Sequence, residues 1–323
     1  MCTSLALPEH ALYGRNLDLD THFDEQVLLA PRGLAFAFRH LPVLPRHYAM
    51  VGMGNAAGNT PLFAEAANEK GLYMAGLYFP ASAQYFDAPV PGARFVAPYE
   101  LIPLVLGQCA TVAEARALLQ TVRLAAEPFA PGWPLAPLHW QVAGPDGVLA
   151  AEPRADGLRL YGDDTGVLTN EPPYPFHRAN LAQYRGVGPA TPPNTVTPGI
   201  ALDVFGQGLG GLGLPGGASP AARFVRAAYL RAHAVFDGER PAQVVQFFHM
   251  LDAVAMVRGS VRTAEGRWDE TVYSCCFDAQ TRTYYYKTYD GGTLHAVRLD
   301  AEADGDALRA YPPAQAAAFV RQN

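Results

Sequence analysis

The sequence predicts a layered α+β protein, on three observations. Strand-type alternation occupies both ends of the chain, amphipathic helical periodicity is concentrated between them, and no linker separates the two. First and last strands are therefore expected to share one sheet. The 323 residues, half of them hydrophobic and 17% charged, suffice for a substantial core, and we read residues 1–323 as a single domain.

In residues 2–7, alternation places Leu5 and Leu7 on one face and Cys2, Ser4 and Ala6 on the other. That is a strand whose first residue can face a cleft. Residues 13–19 read as its hairpin partner across the connection 8–11. Residues 48–53 and 72–79 are further apolar runs bordered by glycine or proline, so four strands are expected before the first helix.

Helices are expected at 98–107 and 112–122, the second opened by the capping-box spacing of Thr111 and Glu114. Residues 138–142 and 148–151 read as strands around Gly144-Pro145-Asp146-Gly147. Residues 221–236 and 243–254 carry apolar helical faces, with Arg223 opposite the apolar face of its helix. A meander of strands at 271–277, 283–289 and 294–299 closes the chain. Residues 184–217 are rich in glycine, proline and threonine without sustained periodicity; a loop of that length is expected to serve binding or assembly.

Composition excludes several function classes. A formal net charge of −6 without a basic run gives no footprint for nucleic acid. Residues 1–10 lack the pattern of a signal peptide and no stretch of about 18 apolar residues occurs, so no membrane association and a cytoplasmic location are expected. Cys109, Cys275 and Cys276 read as reduced structural thiols, because neighbours such as the last two are poorly placed for an ordinary disulfide and zinc-type spacing is missing. The nine histidines lack metal-ligand spacing and read as surface or satisfied core. Gly208-Leu209-Gly210-Gly211-Leu212-Gly213 matches a dinucleotide fingerprint literally, but Leu214-Pro215-Gly216-Gly217 follows where a helix is needed.

One residue carries chemistry of its own. Loss of Met1 would make Cys2 the chain terminus, with an α-amine of ordinary pKa about 7.7–8.0 able to take the thiol proton. From this residue alone, a small, partly buried cysteine that happens to fall at position two is the favoured reading. Gly14-Arg15-Asn16-Leu17-Asp18 adds a guanidinium that can stabilise thiolate and a carboxylate that can orient an amine. Strict alternation puts Arg15 and Asp18 on opposite faces, so the strand is expected to bulge or end between them; a surface ion pair at a hairpin is the alternative.

Met1-Cys2-Thr3, the Arg15–Asp18 segment, Asn68-Glu69-Lys70-Gly71-Leu72, Leu168-Thr169-Asn170, Phe205-Gly206-Gln207-Gly208, Gly213-Leu214-Pro215-Gly216 and Ala222-Arg223-Phe224 stand in the order of one family. The chain resembles, from Cys2 through Tyr284-Tyr285-Tyr286, the choloylglycine hydrolases, N-terminal-nucleophile amidases that include bile salt hydrolases and penicillin V acylases. The resemblance implies a four-layer αββα fold with two stacked antiparallel sheets, a homotetramer assembled through the 184–217 loop, and maturation by removal of Met1. It also implies a linear-amide substrate and neither metal nor organic cofactor. By position, Cys2 would be the nucleophile, Arg15 would contact the thiolate, and Asp18 would bind the α-amine. Asn170 would donate to the oxyanion, with a backbone N–H at Tyr78 beside it, and Arg223 would complete the charged site.

At Tyr78 bile salt hydrolases usually carry asparagine, and penicillin V acylases resemble this chain in having tyrosine. That marker places a penicillin V acylase-like activity first, releasing phenoxyacetate and 6-aminopenicillanic acid. A conjugated bile acid hydrolase, an N-acyl homoserine lactone acylase and a non-catalytic ligand-binding member follow as alternatives.

Overall fold

The structure, a computed structural model, describes residues 1–314, 316–317 and 319–322. Strands β1 (Cys2–Leu7), β2 (Leu12–Leu19), β3 (Gln26–Ala30), β4 (Met50–Ala57), β5 (Thr60–Asn68), β6 (Tyr73–Tyr78) and β7 (Arg94–Val96) precede the helices α1 (Leu101–Gln108) and α2 (Val112–Gln120). Seven strands thus stand where four were expected. The additional ones are β3 and β7, which are short, and β5, whose Ala-rich sequence around the buried Glu65 hides the alternation.

Next come β8 (Val122–Leu124), β9 (Leu138–Gly144), β10 (Gly147–Arg154), β11 (Gly157–Gly162), β12 (Val167–Leu168) and α3 (Tyr174–Asn180). Helices α4 (Pro220–His233) and α5 (Arg240–Asp252) follow, then β13 (Val261–Arg262), β14 (Trp268–Asp278), β15 (Thr283–Thr288), β16 (His295–Arg298) and β17 (Arg309–Tyr311). The helix starts obey local chemistry. Thr111 Oγ1 accepts the Glu114 N–H at 3.1 Å ahead of α2, and Ser219 Oγ accepts the Ala222 N–H at 3.3 Å ahead of α4.

Two antiparallel sheets result. One runs β12-β1-β2-β14-β15-β16, with β13 on β14, so the first strand and the closing meander do share a sheet. The other runs β11-β10-β9-β6-β5-β4-β3-β17. Helices α4 and α5 pack on β1, β2 and β14, α1 and α2 pack on β5, β6 and β9 to β11, and β6 meets β1 and β2 across the interior. The layers are αββα. Both faces of the second sheet are covered, which explains its nearly continuous apolar strands: in β3, Val27 and Leu29 join the core between the sheets while Leu28 and Ala30 join the core under α1 and α2.

Two glycines let backbones meet near the start of the chain. A side chain at Gly14 would stand 1.9 Å from the Cys275 carbonyl oxygen, so only glycine permits this approach of β2 to β14. Gly166, at φ 63°, turns the chain into β12 and accepts the Ala6 N–H at 2.8 Å, which lays β12 beside β1. The 184–217 segment carries little regular structure, and its glycine-rich stretch forms only a 3₁₀ turn at Leu209–Gly211, with no helix before α4.

Candidate active site

Cys2 opens β1, pairs with Leu17 of β2, and is buried. Cross-strand partners share a face, and on this face Ser4 donates to Gln141 Oε1 of β9 at 2.7 Å. The thiol therefore looks into the space between the sheets. There it lines a cavity of about 330 Å³, walled by Leu17, Phe63, Tyr78, Phe129, Trp133 and Leu138 among others. Among the described lining residues Glu127 is the one acid, and Arg39 and His40 bind its carboxylate.

Arg15 is fully buried on the same face of β2. Its Nη1 donates to the Gly76 carbonyl at 2.5 Å and stands 3.7 Å from Glu65 Oε2, while Nη2 has no partner. Burial opposes its charge, yet the acidic groups around it, Cys2 foremost, hold its pKa above the ordinary arginine value. The sequence did not single out Glu65, which accepts from the Tyr273 and Tyr284 hydroxyls at 2.6 Å each. A buried guanidinium demands such a counter-charge.

Asp18 lies on the other face, with Asn16, whose Nδ2 donates to the Leu251 carbonyl of α5 at 2.8 Å. β2 neither bulges nor ends between Arg15 and Asp18, contrary to expectation. The register shift falls on the neighbouring strand, between Thr271 and Tyr273 of β14, and Thr271 Oγ1 then donates to Asp18 Oδ1 at 2.6 Å. The Asp18 N–H donates to the Met1 carbonyl at 2.7 Å, and the Met1 amine donates to the Asp18 carbonyl and to Asp269 Oδ2 at 3.5 Å. Burial pushes the Asp18 carboxyl up, against the pull of Arg223 and the chain terminus.

Asn170, just past β12, touches three of the other residues. Its Oδ1 accepts from the Cys2 N–H at 2.8 Å and from Arg223 Nη2 at 2.9 Å, and its Nδ2 donates to the Tyr78 carbonyl at 2.8 Å. An amide nitrogen carries two hydrogens, and the Tyr78 carbonyl takes one of them. The Phe79 N–H is bonded to Pro137 of the chain leading into β9, so ladder alternation turns the Tyr78 N–H away from β9, as it does the carbonyl that Asn170 meets. The Tyr78 ring is half-exposed on the cavity wall.

Arg223 departs from the periodicity reading, which placed it opposite the apolar face of α4. It is buried, because that side of the helix end abuts β1: Nη1 donates to the Cys2 carbonyl and, at 2.5 Å, to Thr3 Oγ1, and Nε to the Ala218 carbonyl at 2.9 Å. Burial lowers its pKa, with Asp18 and Cys2 opposing. Thr3, part of the Met1-Cys2-Thr3 segment in the family order, also lies here, and Thr271 and Asp269 join it without a signal in the sequence beyond lying near a strand end. Cys109, Cys275 and Cys276 are free and buried away from this cavity.

Strand-borne Cys2 between two antiparallel sheets, themselves between helices, defines an N-terminal-nucleophile hydrolase fold. The family profile for linear amide C–N hydrolases of the choloylglycine hydrolase family matches residues 2–307. A bile salt hydrolase/transferase of Lactiplantibacillus plantarum is 36% identical, covering 100% of both chains, and another from Clostridium perfringens is 34% identical over 96% of each. The solved structure of the C2A mutant of conjugated bile acid hydrolase from Clostridium perfringens superposes with a TM-score of 0.93 at 32% identity, covering 100% of both chains. Penicillin V acylase from Agrobacterium tumefaciens shares the fold, with a TM-score of 0.75 at 17% identity over 96% of this chain and 90% of that one. The chain belongs to the choloylglycine hydrolase family and is a hydrolase of linear amide C–N bonds. Among the described residues no helix is long and apolar enough to cross a membrane.

Proposed function

We propose that this enzyme hydrolyses the amide bond of conjugated bile acids, with Cys2 as the nucleophile after loss of Met1. The observation that carries the chemistry is the thiol-bearing face of β1 opening into an apolar cavity beside Arg15. Such a cavity suits a large hydrophobic acyl group. Full-length relatives named bile salt hydrolase, at 34% to 36% identity, support the bile acid as that group. This reading displaces the penicillin V acylase that Tyr78 placed first.

In the proposed reaction the Cys2 thiolate attacks the amide carbonyl and Arg15 steadies the sulfur charge. Asn170 Nδ2 and the Tyr78 N–H receive the oxyanion, where removal of one donor typically costs about 10²–10³ in rate. The Cys2 α-ammonium, held by Asp18, protonates the leaving amine; the amine then activates water, and the thioester C–S bond breaks to release the acid. Arg223 fixes the Cys2 carbonyl and Asn170 relative to one another.

Tyr78 supports a second reading, because its half-exposed ring can stack on an aryl acyl group such as phenoxyacetyl. Parallel measurement of kcat/KM on glycocholate, taurocholate, penicillin V and long-chain N-acyl homoserine lactones separates the two. Better turnover of penicillin V than of both bile conjugates overturns the first reading. We further propose assembly through the 184–217 loop, supported by the exposure of Val196, Phe205 and Leu212.

A further inference from the structure

Two buried histidines with no signature in the sequence converge on the Thr169–Asn170 dipeptide. His139 of β9 bonds the Thr169 carbonyl through Nε2 at 2.8 Å, and His177 of α3 bonds the Asn170 carbonyl through Nε2 at 2.9 Å. A carbonyl only accepts, so each ring must carry its proton on Nε2. The Nδ1 atoms of both are buried without a hydrogen-bond partner, that of His139 facing Glu152 Oε1 at 3.6 Å and that of His177 left uncompensated.

Each ring is also stacked on an aromatic residue that adjoins a site residue in sequence. His139 lies 4.1 Å from Phe79 at an interplanar angle of 6°, and Phe79 follows Tyr78. His177 lies 4.8 Å from Phe224 at 16°, and Phe224 follows Arg223. The two stacks therefore join the Asn170 backbone to the strand carrying Tyr78 and to the helix carrying Arg223. Those are the two groups, besides the Cys2 N–H, that the Asn170 side chain itself touches.

We propose that His139 and His177 are positioning residues, Nε2–H clamps that set the Asn170 amide between Tyr78 and Arg223 at the distance the oxyanion requires. They touch no reacting atom. The role rests on the reading of Asn170 as an oxyanion donor, and displacement of such a donor by about 1 Å costs on the order of 10²-fold in rate.

The test compares two replacements of His177, with wild type, assayed on the best substrate of the amide panel. His177→Phe keeps a ring on Phe224 and loses the N–H; His177→Gln loses the ring and keeps a donor at similar reach. We expect Phe to lower kcat about 30-fold with KM within about twofold, and Gln to recover kcat to within about threefold of wild type. His139→Phe and His139→Gln should repeat the pattern more weakly, since Thr169 is one residue removed. A purely structural role would instead lower thermal stability in both variants and leave kcat of the folded fraction unchanged. Wild-type kcat in His177→Phe, or no recovery with Gln, overturns the proposal. Asn170→Ala separates the two levels. If it is inactive while His177→Phe is not, only the clamp fails; if it retains wild-type turnover, the oxyanion reading fails and the clamp with it.

Discussion

Arg15 and Asp18 project from opposite faces of β2, Arg15 into the space between the sheets and Asp18 toward Thr271 and the helical layer. Three residues apart on an extended strand, they cannot share a face. The proposed chemistry needs them apart. Cys2 sits at the beginning of β1, so its thiol is reached from the Arg15 side while the main chain at residues 1 and 2 is reached from the Asp18 side. In the proposed mechanism a single strand thereby addresses the nucleophile and its amine separately.

Cys2→Ala should abolish amide hydrolysis with the fold and assembly intact, since the side chain is small and makes no hydrogen bond that the core depends on. Activity on the amide panel and circular dichroism check this, and residual turnover would remove Cys2 from the mechanism. Intact mass of the active wild-type protein is the companion measurement. A species that keeps Met1 and still hydrolyses amides excludes the terminal amine as base.

Asp18→Asn should lower kcat at least about 10²-fold, on the scale of removing a general acid–base partner. Its melting temperature should hold or rise, because burial raises the folded-state pKa of Asp18. The sign follows: the folded state prefers the protonated acid, so ionisation costs stability as pH rises through the window between the ordinary value and the raised one. Activity requires the carboxylate and is lost as pH falls far enough to protonate it. Near wild-type kcat in Asp18→Asn, or a strongly destabilised Asn variant, would demote Asp18 to a structural acid.

Asp278 at the end of β14 pairs with Arg240 at the start of α5, which also donates to the His10 carbonyl at 2.7 Å. Burial would raise the Asp278 carboxyl, but Arg240 and Thr281 hold it below the ordinary value. That depressed pKa contributes stability above the unfolded value of about 3.9, and the contribution is lost as pH falls through the folded value. Asp278→Asn should cost about 3 kcal/mol near neutral pH, as when a partly buried ion pair loses one partner, and should flatten the pH dependence of denaturant unfolding below about pH 4. An unchanged acid profile would remove this pair as its source.

Phe205→Ser with Leu212→Ser should shift the protein to smaller species in sedimentation velocity, because these side chains are 91% and 82% exposed in the isolated chain. Sedimentation identical to wild type would show that 184–217 is not an assembly surface.

Much of the arrangement was legible in the primary structure. Alternation in β1 assigned Cys2 and Ser4 to one face, and Thr111 with Glu114 marked the start of α2. Glu65 escaped notice because a buried acid in an alanine-rich segment resembles a surface strand until Arg15, Tyr273 and Tyr284 surround it. His139 and His177 escaped because the partners of each are backbone carbonyls, which leave no spacing signature.

The sequence by itself determined the strand that carries the thiol, the spacing that separates Arg15 from Asp18, and the ordered motifs of the family, because these are local or follow from side-chain period. Only the tertiary structure decided that Arg223 is buried, that the irregularity belongs to β14 instead of β2, and that Asn170 meets Cys2 168 residues away. Those outcomes come from long-range packing of α4 and β12 against β1, where desolvation and hydrogen-bond satisfaction between distant segments override local pattern.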